Sequence, residues 1–163
     1  MRAVSSIQWR TKNPDLFDLN LFLGHYSHRL DQKNRVSIPK KFREQLLAGC
    51  IITRGLDGCL FLYSIEAWEK LSESIQRLPL TGADARAFSR YIFSAAEETT
   101  FDPLGRIKIP EYLLLYSKIN KEVSIIGVGD RVEIWSRQKY ELFSKKIEKS
   151  GEELAEKLSK EIN

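Results

Sequence analysis

The sequence predicts a mixed α+β fold, mainly β with short helices, made of two related halves that share one core. Three observations carry that prediction. The phrase "LDQKNRVSIP" from Leu30 returns as "FDPLGRIKIP" from Phe101, laying Asp31 on Asp102, Arg35 on Arg106, Ile38 on Ile109 and Pro39 on Pro110 at an offset of 71 residues. Further on the offset is 72, with Tyr63 on Trp135, Ser64 on Ser136 and Trp68 on Tyr140, and one residue gained in a turn is the drift that loops absorb. Lastly, modules of about 50 residues bury too little surface to stand alone, so each half of this 163-residue chain needs the other.

Each half reads as the same series of elements. In the first, the alternating "HYSHRL" is a strand, "DQKN" a turn, "RVSIP" a return strand and "KKFREQLLA" a short helix. A hairpin follows, "CIITRG" and "CLFLY" about the turn "LDG", leading into the helix "SIEAWEKL". The second half runs "EETTF", "DPLG", "RIKIP", "EYLLLYSK", "EVSIIGVG", a turn near Asp130, and "VEIWSRQKYELF". Pro39 and Pro110 mark strand-to-helix handovers, because proline suits a helix's first turn. Ser64 and Ser136 are placed to cap the long helices. Trp68, Leu71, Ile75 and Leu78, spaced i, i+3, i+7, i+10, form one apolar face. Between the halves "TGADARAFSRYIF" reads as a helix, with Thr81 and Asp84 as a capping box. The charged C-terminal stretch is helical and is expected to break at Gly151. These elements divide the chain into an N-terminal extension (1–20), a first repeat (22–70), linking helices (71–93), a second repeat (94–140) and a C-terminal helix (141–163).

The repeated D-x-x-[NG]-R must reverse the chain between two strands. Its aspartate can accept hydrogen bonds from backbone N–H groups ahead of it, an Asx-type turn. Gly105 takes positive φ without steric penalty, and Asn34, its counterpart, is among the non-glycine residues most tolerant of that region. Arg35 and Arg106 then open the return strands within reach of Asp31 and Asp102. An Asp–Arg pair flanking a turn can simply hold a hairpin, or pair from one half to the other.

Charge separates the two copies. From His25 to Arg54 there are seven basic residues against two acidic, a net +5; from Ala96 to Arg131 there are five against six, a net −1. Clustered Lys and Arg contact phosphates, and arginine also reads guanine edges. The first copy therefore reads as a surface for double-stranded DNA and the second as scaffold, with a solvated basic face as the plainer alternative.

Other classes find little support. The longest apolar runs are strand-sized, well short of the roughly 20 residues that span a bilayer, so no membrane segment is expected. The N-terminal 20 residues lack the apolar centre of a signal peptide. Cys50 and Cys59, outside C-x-x-C spacing and among apolar residues, read as buried free thiols in a reducing cytoplasm. With His25 and His28, read onto one face of a strand, they make no convincing metal set. No nucleophile motif and no glycine-rich phosphate loop is present. No cofactor and no catalysis are expected.

These residues carry a resemblance. Through "FLGHYSHRLDQKNRVSIPKKFRE", "TRGLDGCLFLYSIEAWEKL", "LPLTGADARAFSRYIFSAAEE", "DPLGRIKIP" and "IIGVGDRVEIW", from about Leu21 to Lys145, the chain resembles the MraZ family of bacterial transcriptional regulators. Members of that family combine two SpoVT-AbrB modules. The resemblance implies a pseudo-twofold barrel of swapped hairpins, assembly into homo-oligomeric rings, and cytoplasmic, nucleoid-associated work. It also implies binding to tandem short G-rich repeats before the division and cell-wall gene cluster. Its DNA surface maps onto Arg35, with Lys33, Lys40, Lys41 and Arg43 in support; Asp31, Asn34, Asp102, Gly105 and Arg106 are motif positions of structural weight. The chain departs from the family twice. Asn34 stands where the family usually has glycine, and Leu21 stands where members usually begin "MFLG", which makes residues 1–20 a misassigned start or a disordered arm. A different class stays open beside this one, a structural or protein-binding ring in which the Asp–Arg motifs only stabilise the fold.

Overall fold

The computed structural model describes residues 21–162; the expectation for residues 1–20 falls outside them. In chain order the elements are β1 (Phe22–Arg29), β2 (Arg35–Ser37), α1 (Lys40–Arg43), β3 (Cys50–Arg54), β4 (Leu60–Ser64), α2 (Ile65–Gln76) and α3 (Ala83–Phe93). The second half adds β5 (Glu97–Thr99), β6 (Arg106–Lys108), α4 (Glu111–Ser117), β7 (Glu122–Gly129), β8 (Val132–Ser136) and α5 (Arg137–Ile162). The mixed α+β class is as expected. In hydrogen-bond terms the strands form two ladders: a six-stranded antiparallel sheet ordered β1-β7-β8-β4-β3-β5, and a two-stranded ribbon of β2 and β6.

The halves exchange strands. β1, from the first half, lies along the whole of β7, from Phe22 opposite Gly129 to Arg29 opposite Glu122. β5, from the second half, lies on β3. Two pairs of repeat equivalents meet in register: Val36 opposite Ile107 in the ribbon and Phe61 opposite Glu133 in the sheet. A residue facing its own repeat mate marks a local twofold axis, so the pseudosymmetry runs through both ladders.

One core lies between ribbon and sheet. Val36, Ile38 and Phe42 are buried together with their second-half equivalents Ile107, Ile109 and Leu113, and β3, β4, β7 and β8 supply Ile52, Leu62, Ile125 and Ile134. Ring edges of Phe22 and Tyr26 meet Phe42 at 5.6 and 5.3 Å, locking α1 under β1. On the outer face of the sheet a second cluster joins Phe61, Tyr63, Ile126 and Trp135 to Trp68 and Leu71 of α2 and Tyr140 and Phe143 of α5.

The local expectations fare unequally. Ser64 caps α2, its hydroxyl accepting the Ala67 N–H at 3.2 Å. Pro39 and Pro110 stand immediately before α1 and α4. The capping box does not form: α3 starts at Ala83 behind Gly82, with no side-chain cap, because Thr81 lies one residue too early. Leu78 falls beyond the end of α2 and is exposed, so only Trp68, Leu71 and Ile75 of that stripe serve the interior. Gly151 does not interrupt α5, which continues through it. His25 and His28 point to opposite faces of β1, since three residues is an odd step along a strand; His25 meets Ser124 and the ring of Tyr140.

Close backbone approach demands glycine at 127, and a positive φ favours it at 105. A Cβ at Gly127 would lie against the backbone of Phe22 and Leu23, which no side-chain rotation relieves. Gly105 has φ +73°, and a Cβ there would meet the Arg43 guanidinium. Gly127→Ala should cost more than about 2 kcal/mol in urea unfolding, because β1 must leave β7. Gly105→Ala should cost about 1–2 kcal/mol, partly restored by Arg43→Ala, while Asn34→Gly stays within about 0.5 kcal/mol of the parent. Equal losses at Gly105 and Asn34 would contradict this account.

Candidate nucleic-acid interface

The two turns are built alike, atom for atom. Asp31 Oδ1 accepts the backbone N–H groups of Lys33 (2.8 Å) and Arg35 (2.9 Å). Asp102 Oδ1 accepts those of Leu104 (3.0 Å) and Arg106 (2.9 Å). The other carboxylate oxygen takes the guanidinium: Arg35 Nε donates to Asp31 Oδ2 at 2.7 Å, and Arg106 Nε to Asp102 Oδ2 at 2.7 Å. Asn34 (φ 60°) and Gly105 (φ 73°) both occupy the left-handed region that the motif implies.

The turns also interlock. Ile38 N–H donates to Gly105 O (3.1 Å) and Ile109 N–H to Asn34 O (2.8 Å), each half thus gripping the other's turn. Arg106 Nη1 lies 3.4 Å from Asp31 Oδ2 and Arg35 Nη1 lies 3.9 Å from Asp102 Oδ2. The result is a closed ring of two cations and two anions about the pseudo-twofold axis. Both ways of pairing considered from the sequence, within a turn and between halves, occur at once.

Both carboxyls are held below their ordinary range. For each the largest cause is the backbone N–H of its own arginine; partial desolvation opposes this, and the guanidinium and the second backbone N–H reinforce it. A carboxylate accepting backbone N–H bonds is favoured in its charged form. Hence both carboxylates are ionised at neutral pH.

The remaining cations are divided in a way the linear sequence does not show. Lys33 is exposed at the tip of the first turn, and Lys40 and Lys41 are exposed at the start of α1. That start lies two residues beyond Ile38, which is bonded to the second turn. Arg43 is half-buried with its guanidinium over Gly105. So Lys33 belongs to turn one, whereas Lys40, Lys41 and Arg43 run beside turn two. Three other first-half cations are engaged elsewhere: Arg35 in the ring, Arg29 with Glu122 at 2.7 Å, and Arg54 over the rings of Tyr91 and Tyr116. The repeat equivalents of Lys33, Lys40 and Lys41 are Leu104, Glu111 and Tyr112, none of them basic.

Lys108 was not singled out by the sequence. It is exposed and stands opposite Arg35 in the ribbon. Repeat alignment sets it against Ser37, so only the strand register reveals it. The two thiols are free and buried, and burial pushes Cys50 up to about 12 and Cys59 higher still. Neither is a nucleophile at neutral pH. No helix among the described residues is long and apolar enough to cross a membrane.

Tandem swapped hairpins joined by an ion-pair ring, with exposed lysines beside both turns, define a two-module fold with a cationic surface. The sequence profile of the MraZ protein family matches the chain twice, over residues 21–91 and 92–161. The protein named Transcriptional regulator MraZ from Clostridium tetani is 48% identical over 139 residues, covering 85% of this chain and 97% of that one. Those of the same name from Clostridium acetobutylicum (50% over 120 residues, 74% and 84%) and Caldanaerobacter subterraneus subsp. tengcongensis (48% over 138 residues, 85% and 96%) are similar. The chain belongs to the MraZ family, and the three relatives above carry the name transcriptional regulator.

The depressed carboxyls set a direction for acid sensitivity. A group whose folded pKa lies below its unfolded value of about 3.9 contributes fully above that value and loses its contribution as pH falls through the folded pKa. The urea midpoint should therefore drop as pH is lowered from about 5 to 2.5. In Asp31→Asn or Asp102→Asn the midpoint should start lower and fall less over that interval. Parallel curves for parent and variants would remove these carboxylates from the account.

Proposed function

We propose that this chain is a DNA-binding transcriptional regulator that meets the duplex with both turns, one on each side of the ion-pair ring. The observation that supports it most is the clustering of exposed lysines (Lys33 at the first turn, Lys40 and Lys41 beside the second) on a frame that the Asp–Arg ring holds rigid. Lysines so placed neutralise phosphates. Asp31 buttresses Arg35 from the side, through Nε and Nη2. A guanidinium held in this way keeps its outer N–H groups for a base edge and loses little side-chain freedom on binding, so Arg35 is the reader or the residue that orients the reading turn. Arg43, tucked over Gly105, supports the second turn and contributes charge from behind it.

Following the family, the protein assembles into a homo-oligomeric ring, works on the nucleoid, and binds tandem short G-rich repeats that control the division and cell-wall genes. Several weak, identical contacts on adjacent repeats would then add through effective concentration. A second reading is favoured by the ring of charges itself. All four groups are engaged with one another, so Arg35 and Arg106 would only lock the fold, and recognition would rest on the lysines or on a protein partner.

Fluorescence anisotropy on a duplex with tandem G-rich repeats and on a scrambled duplex, across a salt series, separates these readings. Arg35→Ala should lose about 1–3 kcal/mol on the repeats and discriminate less. Lys40→Ala and Lys41→Ala should weaken both duplexes alike and flatten the salt dependence by about one counterion each. Size-exclusion chromatography with light scattering checks that each variant still assembles. If Arg35→Ala melts early and disassembles while the parent treats both duplexes alike, the scaffold reading holds.

A further inference from the structure

We propose that the outer part of α5 pairs antiparallel with the same helix of a second copy, crossing at Ser150 and Gly151. The helix has 26 residues, about 39 Å at 1.5 Å per residue. Its apolar positions Tyr140, Phe143, Ile147, Leu154 and Leu158 follow one stripe, with Gly151 in step between Ile147 and Leu154. The near end of that stripe is docked: Trp135 meets Tyr140 at 5.7 Å and stacks on Phe143 at 5.1 Å. Past Ile147 the other described residues leave it largely exposed. Residues 151–161 are all exposed, Leu154 by 40% and Leu158 by 54%.

Such a segment is poorly explained as an isolated helix. A helix of about a dozen residues that buries no apolar face is marginal in water, and glycine is among the weakest helix formers. Yet α5 runs through Gly151 unbroken. A small residue in the middle of an apolar stripe is where a second helix approaches closely.

Charge selects the partner and its direction. Residues 145–149 (Lys145, Lys146, Glu148, Lys149) carry net +2, and residues 152–156 (Glu152, Glu153, Glu156) carry net −3. A parallel, in-register partner would set like on like. An antiparallel copy centred on Ser150 and Gly151 sets each block against its opposite, faces Ile147 with Leu154 and brings Phe143 towards Leu158. Lys146 and Glu153, seven residues apart, lie on the same flank of the stripe and would meet across the crossing. The occupant is thus a second copy of this chain, joined through α5 and not through the turn residues.

The test is cysteine cross-linking of the full chain under mild oxidation. Ile147→Cys and Leu154→Cys variants are mixed, and Cys50 and Cys59 are buried enough to stay silent. The expected product is the mixed 147–154 disulfide, well in excess of either homodimer. Adding Leu158→Glu to both variants should reduce it at least tenfold, while circular dichroism shows the fold retained. As an independent reading, Lys145→Glu/Lys146→Glu/Lys149→Glu and Glu152→Lys/Glu153→Lys/Glu156→Lys should each sediment as smaller species alone and recover the parent's size on mixing. Predominant 147–147 product, no cross-link between copies, or unchanged sedimentation in both triple variants would overturn the proposal. DNA binding does not enter, so failure here leaves the functional reading standing and the reverse also holds.

Discussion

The structure depends on one reciprocal constraint: each half supplies the backbone partner that closes the other half's turn. Ile38 bonds to Gly105 and Ile109 to Asn34, and the four side chains of the Asp–Arg ring sit over that junction. Neither ribbon strand is longer than three residues. A two-stranded ladder of that length is marginal alone; here the apolar side chains of Val36, Ile38, Ile107 and Ile109 anchor it from below and the ion ring clamps it from above. The exchange of β1 and β5 follows the same logic on the sheet, so the halves cannot separate without losing both ladders.

That interlock also decides where charge sits. An exchanged hairpin carries its downstream helix with it, which moves Lys40, Lys41 and Arg43 away from the turn they follow in sequence and beside the other. One half of the chain is basic, yet both turns end up flanked by cations. Meanwhile the ring arginines are neutralised by aspartates whose ionisation the turn geometry guarantees. The net positive charge beside the turns therefore lies on the cations outside the ring, Arg43 as well as the lysines, while the ion pairs of Arg35 and Arg106 order the turns.

The asymmetry between the repeats is concentrated at a few substitutions on a common frame. Leu104 replaces Lys33, Glu111 replaces Lys40, and glycine replaces asparagine at the left-handed position. The last has a packing reason as well as a conformational one, because Arg43 occupies the space that a side chain at Gly105 would need. α5 has no first-half counterpart of comparable length among the described residues, and its outer stretch, residues 151–161, is exposed throughout.

The sequence by itself determined the repeat, the order of elements, the turn chemistry at Asp31 and Asp102, the cap at Ser64 and the burial of both thiols. These are local matters, fixed by residues within a few positions of one another or by composition. Judging Gly151 by intrinsic propensity alone ended α5 too early, and counting charge along the chain overstated how much of it is free, since Arg29, Arg35 and Arg54 find partners far away or across a turn. Only the tertiary structure decided which strand lies beside which, that Lys108 stands opposite Arg35, and that α1 flanks the second turn. Strand exchange brings together residues about 70 positions apart, and no pattern within one segment records which of two equivalent partners it will choose.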